Sequence, residues 1–255
     1  MATKSFELRE LFHLALLRQL GTRLSGRSYA VKGGICLRFF HLSPRLSEDM
    51  DLDIVSQVPV ATLRNAVDSV IEGGAMLATL MPFGITAIKA TKPKQTETTQ
   101  RWKVLLQISG NEELRTKVEF SRRQEEIPFS QGVPDPNLLK RYKATTFAAQ
   151  YYDATRMSVQ KIAALAAAGR NALRDLFDLH HLFYTIGSKP EEVSVLLDPT
   201  MPEAAAEKVA SFTFEAFQEQ VLPYLPADLM NLYQDSAAFD KEKDAVSTIL
   251  IGMMK

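Results

Sequence analysis

Asp49, Asp51 and Asp53 alternate with Met50, Leu52 and Ile54, and this acidic ladder carries the plainest chemistry in the chain. Alternation with a period of two is the pattern of a β-strand, so the carboxylates project to one face and the apolar side chains to the other. Carboxylates crowded on one face repel each other. A hard divalent cation relieves that repulsion, and Mg²⁺ (or Mn²⁺) carrying the phosphates of a nucleotide suits such an oxygen site. Upstream, Gly33 and Gly34 fall between a short apolar run, residues 29–31, and a helix-like run, residues 36–41. A glycine pair at a strand-to-helix turn leaves bare backbone N–H groups that can receive phosphate oxygens. Arg45 and Ser47 lie in the following loop, which Pro44 breaks. Alone, the ladder reads as a surface strand with solvated aspartates; the glycine pair and Ser47 beside it favour a site.

The elements that must position these residues follow from periodicity. Leu8, Leu11, Phe12, Ala15 and Leu20 recur at helical spacing, which predicts an amphipathic helix over 5–25, closed by Gly26. Pro59 opens a helix over 60–71 that Gly73 and Gly74 stop. Strands are expected over 85–88, 103–108 and 114–120, with the segment TKPKQTETTQR as an exposed, mobile hairpin tip. In the third strand, alternation puts Arg115, Lys117 and Glu119 on one face, and Arg122 and Arg123 follow as cations able to meet phosphate. Residues 127–137 are rich in proline and glycine, so the domain boundary is placed there: an α/β domain over 1–135 and a helical domain over 136–255.

The second chemically suggestive block spans 155–185. A helix starting at Thr155 or Ser158 and running to Ala168 carries Lys161. The residues three and four positions from Lys161 are Met157, Ser158, Ala164 and Leu165, none of them an acid. Such a lysine either snorkels along apolar surface or points into a cleft at an anion. On the next helix, 173–184, Asp175 and Asp178 share a face and Arg174 can pair with Asp178. His180 and His181 fit no metal-ligand spacing. The acidic stretch 188–255 shows ordinary core-helix spacing.

Composition narrows the class. The chain has 255 residues, 46% of them hydrophobic, with 30 basic and 30 acidic side chains, enough for a sizeable core in one or two domains. No apolar run is long enough to cross a membrane. The N-terminal segment carries Glu7, Arg9 and Glu10 and does not read as a signal peptide. The single cysteine, Cys36, allows no intramolecular disulfide and fits a reducing cytoplasm. The charge is uneven: residues 138–185 carry 7 basic and 3 acidic side chains, and residues 186–255 carry 5 and 12. A basic middle and an acidic tail suggest a face for a polyanion.

The order KGG-x-x-L-R, then R-x-S-E-D-x-D-x-D, resembles the signature of the AbiEii/AbiGii nucleotidyltransferase toxins, relatives of the MenT toxins of toxin–antitoxin systems. The later VQKIAALAAAGRNALRDLFDLHHL resembles the family's K-x-x-A-L…R-D-x-x-D-L block, matching Lys161, Arg174, Asp175 and Asp178. One departure stands out: Ile35 follows the glycine pair where the family usually has a hydroxyl residue. The resemblance implies a polymerase-β-like nucleotidyltransferase domain with a mixed sheet, followed by a helical domain, with the active site in the cleft between. It implies Asp49 and Asp51 as catalytic metal ligands with Glu119 as the third acid. It assigns Gly33, Gly34, Arg38, Ser47, Lys161 and Asp175 to the nucleoside triphosphate, and Lys161 and Asp178 to catalysis. It further implies a nucleotide transferred to an acceptor such as tRNA, and a separately encoded antitoxin. The basic stretches 89–103 and 138–174 are the surface expected for such an acceptor, with Arg141, Lys143 and Arg170, which flank Lys161 but belong to no motif, as its candidate cations. A small-molecule or protein acceptor, or a non-catalytic nucleotide-binding module, are the competing readings.

Overall fold

The computed structural model describes residues 2–110, 112–122, 129–169 and 173–254. Two compact units divide the chain: Met1–Leu42 with Leu46–Tyr152, and Ser43–Arg45 with Asp153–Lys255. The division falls after Tyr152 rather than after residue 135, because the segment in between is tied to the sheet of the first unit.

The first unit comprises α1 (Ala2–Leu20), β1 (Tyr29–Lys32), α2 (Gly33–Phe40), β2 (Met50–Ile54), α3 (Val60–Ile71), α4 (Gly74–Leu80), β3 (Ile85–Gln95), β4 (Thr99–Ile108), β5 (Glu113–Arg122), β6 (Ser130–Gly132), α5 (Pro136–Arg141) and β7 (Ala149–Tyr151). Its seven strands form one mixed sheet in the order β3-β4-β5-β2-β1-β7-β6. β2 runs parallel to β5 and antiparallel to β1, and β7 joins β1 in parallel at Val31↔Tyr151. That last pairing places β7 in the first unit.

The alternation read from the sequence governs both faces. Trp102, Val104, Leu106, Val118 and Phe120 are buried on one face, where Trp102 donates its indole N–H to Asp68 of α3 at 2.8 Å. α1, α3 and α4 pack together on that side, bringing in Phe12, Leu16, Leu63, Val67 and Met76. The opposite face carries Arg101, Lys103, Lys117 and Glu119.

β3 and β4 extend well beyond the expected 85–88 and 103–108. The segment expected as a mobile tip is strand-paired up to Gln95↔Gln100, which leaves only residues 96–98 as the turn. Pro93 is accommodated because β3 is an edge strand and its register shifts between Thr91 and Lys94, where a missing N–H costs no ladder bond.

The second unit contains α6 (Ala154–Ala166), α7 (Leu173–His180) with a π-helical continuation (His181–Ile186), α8 (Pro190–Ser194), α9 (Met201–Ala210), α10 (Phe214–Gln220), α11 (Ala227–Met230) and α12 (Ala237–Gly252). Its core gathers Ile162, Leu165, Leu176, Phe217, Phe239, Val246 and Leu250. Asp153 caps α6 by accepting from the Arg156 N–H at 2.8 Å. Among the described residues no single helix is long and apolar enough to cross a membrane.

Candidate active site

In the first unit, β2 delivers the aspartates as the alternation requires: Met50, Leu52 and Ile54 are buried in the core. The three acids have different surroundings. Asp53 is fully buried; it accepts from Lys32 Nζ and from the Tyr152 hydroxyl, each at 2.5 Å, and this closes it off as an internal anchor. Asp49 and Asp51 stay partly open, with 43% and 33% of their side chains exposed. Asp49 accepts the Lys117 backbone N–H at 3.0 Å. The Lys117 ammonium stands 3.4 Å from Asp49 Oδ2 and 3.8 Å from Asp51 Oδ1. Burial pushes the Asp51 carboxyl above the usual carboxylate range; Lys117 and Lys32 oppose the shift, and Asp49 and Glu119 reinforce it. Lys117 is held above its ordinary value, because Asp51, Asp49 and Glu119 outweigh its own burial.

Glu119 is the neighbour of Asp51 across the parallel β2–β5 register, yet its carboxylate is drawn to Arg101 on β4 at 2.5 Å. Among the described residues no group of three or more acidic, histidine or cysteine side chains is assembled to hold a metal. The expected trio of Asp49, Asp51 and Glu119 is therefore an open pair with a third acid engaged next door.

The glycine turn is packed closely against the acidic strand. Gly33 has φ +67°, and a Cβ there would stand 3.1 Å from Asp51 Oδ2. Its backbone is thus packed against the carboxylate, which only glycine allows at this φ. Gly34 continues α2. Ile35 is buried in the core, a placement no hydroxyl is needed to fill. Ser47 donates to the Asp49 carbonyl at 3.1 Å, steadying the chain as it enters β2. Arg38 lies on α2 and binds Glu10 of α1 at 2.5 Å, within a cluster closed by the Tyr142 hydroxyl. Arg122 reaches the Val58 carbonyl and Gln100. Arg123 and Arg170 lie outside the described residues; Arg141 and Lys143 are exposed on and just after α5.

In the second unit, Lys161 of α6 is buried. Its ammonium contacts Asp175 Oδ1 and Asp178 Oδ2, both at 2.6 Å. Arg45 completes the set with a two-pronged bond to Asp178, both prongs 2.7 Å. Burial alone would raise the Asp178 carboxyl, but Arg45 and Lys161 overcome it and hold it far below the usual range. Lys161 is likewise held above its ordinary value against its burial by Asp175 and Asp178. Arg174, expected to pair with Asp178, instead projects outward, bonding the Gln220 carbonyl and the Tyr224 hydroxyl and lying over the Tyr224 ring at 4.0 Å. Asp178 faces the interior, where Arg45 takes the role assigned to Arg174.

The residues missed by sequence reasoning are Lys117 as the cation shared by the aspartates, Arg101 as the partner of Glu119, and Arg45 as the partner of Asp178. Parity along β5 places Lys117 beside Glu119; nothing local announces the other two.

A family profile for the "Nucleotidyl transferase AbiEii toxin, Type IV TA system" matches residues 15–250. The chain belongs to the AbiEii nucleotidyltransferase toxin family. No curated protein matches it. Among solved structures, MenT4, a nucleotidyltransferase toxin of Mycobacterium tuberculosis H37Rv, is 16% identical with a TM-score of 0.68, over 98% of this chain and 84% of that one. JHP933 from Helicobacter pylori is 20% identical with a TM-score of 0.56, over 96% and 93%. A putative nucleotidyltransferase from H. pylori gives 20% and 0.55, over 94% and 93%. At these identities the likeness establishes the shared fold.

As an AbiEii toxin, the protein is a nucleotidyltransferase of a toxin–antitoxin system, with a nucleoside triphosphate as substrate and an antitoxin as partner. The family generally employs a divalent metal; the described residues offer an open pair of carboxylates, Asp49 and Asp51, rather than an assembled set of three. Two carboxylates already share a single positive charge, the Lys117 ammonium. Burial and neighbouring acids make the ionised form of Asp51 costly, so added positive charge is stabilising there.

Proposed function

We propose that this AbiEii toxin transfers a nucleotide from a nucleoside triphosphate to the end of an RNA, most readily a tRNA, and so stops growth or blocks phage. Asp49 and Asp51 would hold Mg²⁺ or Mn²⁺, which when bound supplies charge neutralisation for the triphosphate and the departing pyrophosphate. The backbone at Gly33 and Gly34, with Ser47, is assigned to the phosphates. Arg38, committed to Glu10, serves in this reading by fixing α2 and thereby the glycine turn. Lys161, oriented by Asp175 and Asp178, is assigned to the triphosphate, with Asp178 contributing through it.

The reaction balances simply. The oxygen of the acceptor hydroxyl forms a bond to the α-phosphorus, the bond from that phosphorus to the bridging oxygen breaks, and pyrophosphate leaves. The hydroxyl proton passes to a carboxylate of the set, Glu119 in this assignment. The protein's contribution is alignment and charge compensation.

The observation that carries this reading is the pinning of the Asp51 carboxylate against Gly33, beside Asp49 and next to Glu119. Incubation with each α-labelled nucleoside triphosphate, Mg²⁺, total RNA and a protein extract tests it. Label should enter RNA, chiefly the tRNA band. Label confined to protein or to a small molecule would replace the RNA reading with the competing transferase reading. No transfer to any acceptor would favour the non-catalytic binding module.

A further inference from the structure

A groove of about 670 Å³ opens on the polar face of the sheet, next to Asp49. Its cations are Arg9 from α1, Lys89 from β3, Lys103 from β4, and Arg115 and Lys117 from β5; its acids are Glu48 and Asp49. Arg9 approaches Glu48 at 3.7 Å and Lys117 approaches Asp49 at 3.4 Å, so both acids are already engaged. No ion pair joins Lys89, Lys103 or Arg115 to an acid among the described residues.

The register makes this excess costly. Lys103 sits directly opposite Lys117 across the antiparallel β4–β5 pair, and like charges in that relation destabilise a sheet. Lys89 and Arg115 flank Leu105 on its two sides in the next row. The arrangement is an apolar strip with ammonium and guanidinium groups along it. It runs from the strand beside the acidic pair to the edge strand, two strand spacings or about 10 Å. An open, elongated basic groove of this kind matches successive phosphates of a nucleic acid strand, with Leu105 under the sugar or base between them. A triphosphate requires a shorter and more enclosed cradle.

We infer that the groove across β3, β4 and β5 binds the phosphate backbone of the acceptor RNA, leading its end to Asp49 and Asp51. This inference rests on the reading of RNA as acceptor; of the two basic stretches expected to meet it, the groove draws on 89–103, on the sheet, and not on Arg141 and Lys143 of the α5 region.

The test uses the full chain and the double variant Lys89→Gln/Lys103→Gln, both exposed positions outside the proposed catalytic set, with Lys89→Arg/Lys103→Arg as the charge-preserving control. Binding of a fluorescein-labelled oligoribonucleotide and of total tRNA is followed by anisotropy over a KCl series, alongside steady-state KM values for tRNA and for the nucleotide. The Gln variant should weaken RNA binding about tenfold and flatten the log K against log salt slope by about 1.4, from two lost single-strand contacts. The KM for nucleotide should not change, and the Arg variant should bind as wild type does. Wild-type transfer to RNA with an unchanged salt slope in the Gln variant overturns the groove and leaves the RNA-transferase reading standing. Wild-type transfer to protein alone overturns both. A raised nucleotide KM with unchanged RNA binding, or competition by polyglutamate equal to that by RNA, also overturns the inference: the first makes the groove a triphosphate site, the second a surface for an acidic protein.

Discussion

The two units solve the burial of charge in opposite ways. In the second unit, Arg45, Lys161, Asp175 and Asp178 form a quartet with two cations against two carboxylates, all buried and in direct contact. In the first, Asp49, Asp51 and Glu119 crowd together at the centre of the sheet, where β2 meets β5, with Lys117 shared between two of them and Arg101 taken by the third. Asp178 is consequently held far below the usual carboxylate range, and Asp51 is pushed above it. A balanced network compensates its own buried charge, and removal of one member leaves the remainder uncompensated. An unbalanced one is completed by positive charge from outside. Buried acids alone do not mark a metal site; in the proposed reading the partly open pair, Asp49 and Asp51, is the one assigned to it.

The difference between the units is largest at Asp178. Asp178→Ala removes the two-pronged partner of Arg45 and leaves Lys161 to Asp175 alone, so buried positive charge exceeds negative, and denaturant unfolding should report a loss of about 3–5 kcal/mol. The depressed folded-state pKa sets the pH window. This stabilisation is complete above the unfolded value of about 4 and is lost as pH falls below it. A variant as stable as wild type at neutral pH would mean that the quartet contributes nothing.

A second acid in the helical unit sharpens the point. Glu242 is mostly buried; it accepts from the Tyr233 hydroxyl at 2.5 Å, the His180 imidazole, held below its ordinary value chiefly by burial, stands 3.8 Å away, and Oε2 has no hydrogen-bond partner among the described residues. Burial raises its pKa to about 7. The folded state therefore keeps the proton between about pH 4.3, where the unfolded chain loses it, and about pH 7. Stability falls as pH rises across that window and is flat above it. Glu242→Gln should remove this slope and add roughly 3–4 kcal/mol at most at pH 8. An unchanged slope in melting temperature against pH would contradict the assignment.

The smallest of these stability effects concerns Gly33. Gly33→Ala forces a side chain into the left-handed region, at about 1–2 kcal/mol, and against Asp51 Oδ2. Thermal melting should drop modestly while nucleotide transfer falls much further, because the displaced carboxylate is the one assigned to the metal. Equal, small losses in both would make the glycine a turn residue only.

The difference between the units was half visible in the sequence. Strand alternation is local, so the shared face of Asp49, Asp51 and Asp53, and that of Lys117 and Glu119, could be read directly. The fate of Asp53 could not, since it depends on Tyr152, nearly a hundred positions later. Helical spacing correctly flagged Lys161 as a cation without a local acid, but its partners come from the following helix. Spacing likewise paired Arg174 with Asp178 on the assumption of a common exposed face. Arg45, from a loop far upstream in sequence, occupies that acid instead. Pro93 hid a strand because a bulge on an edge strand tolerates what a central strand does not. Residues 136–152 read as part of a helical domain, and it is the pairing of β7 with β1 that assigns them to the sheet.

Calorimetric titration of Mg²⁺ in the presence of a non-hydrolysable nucleoside triphosphate decides whether Asp49 and Asp51 of the first unit take up a metal. Wild type should bind the ion saturably with the nucleotide. Asp51→Asn should lose that binding while melting at the wild-type temperature or slightly above it, because one of two repelling carboxylates has been neutralised. Mg²⁺ and nucleotide binding to Asp51→Asn with wild-type affinity would contradict the account and return the acidic strand to a purely structural role.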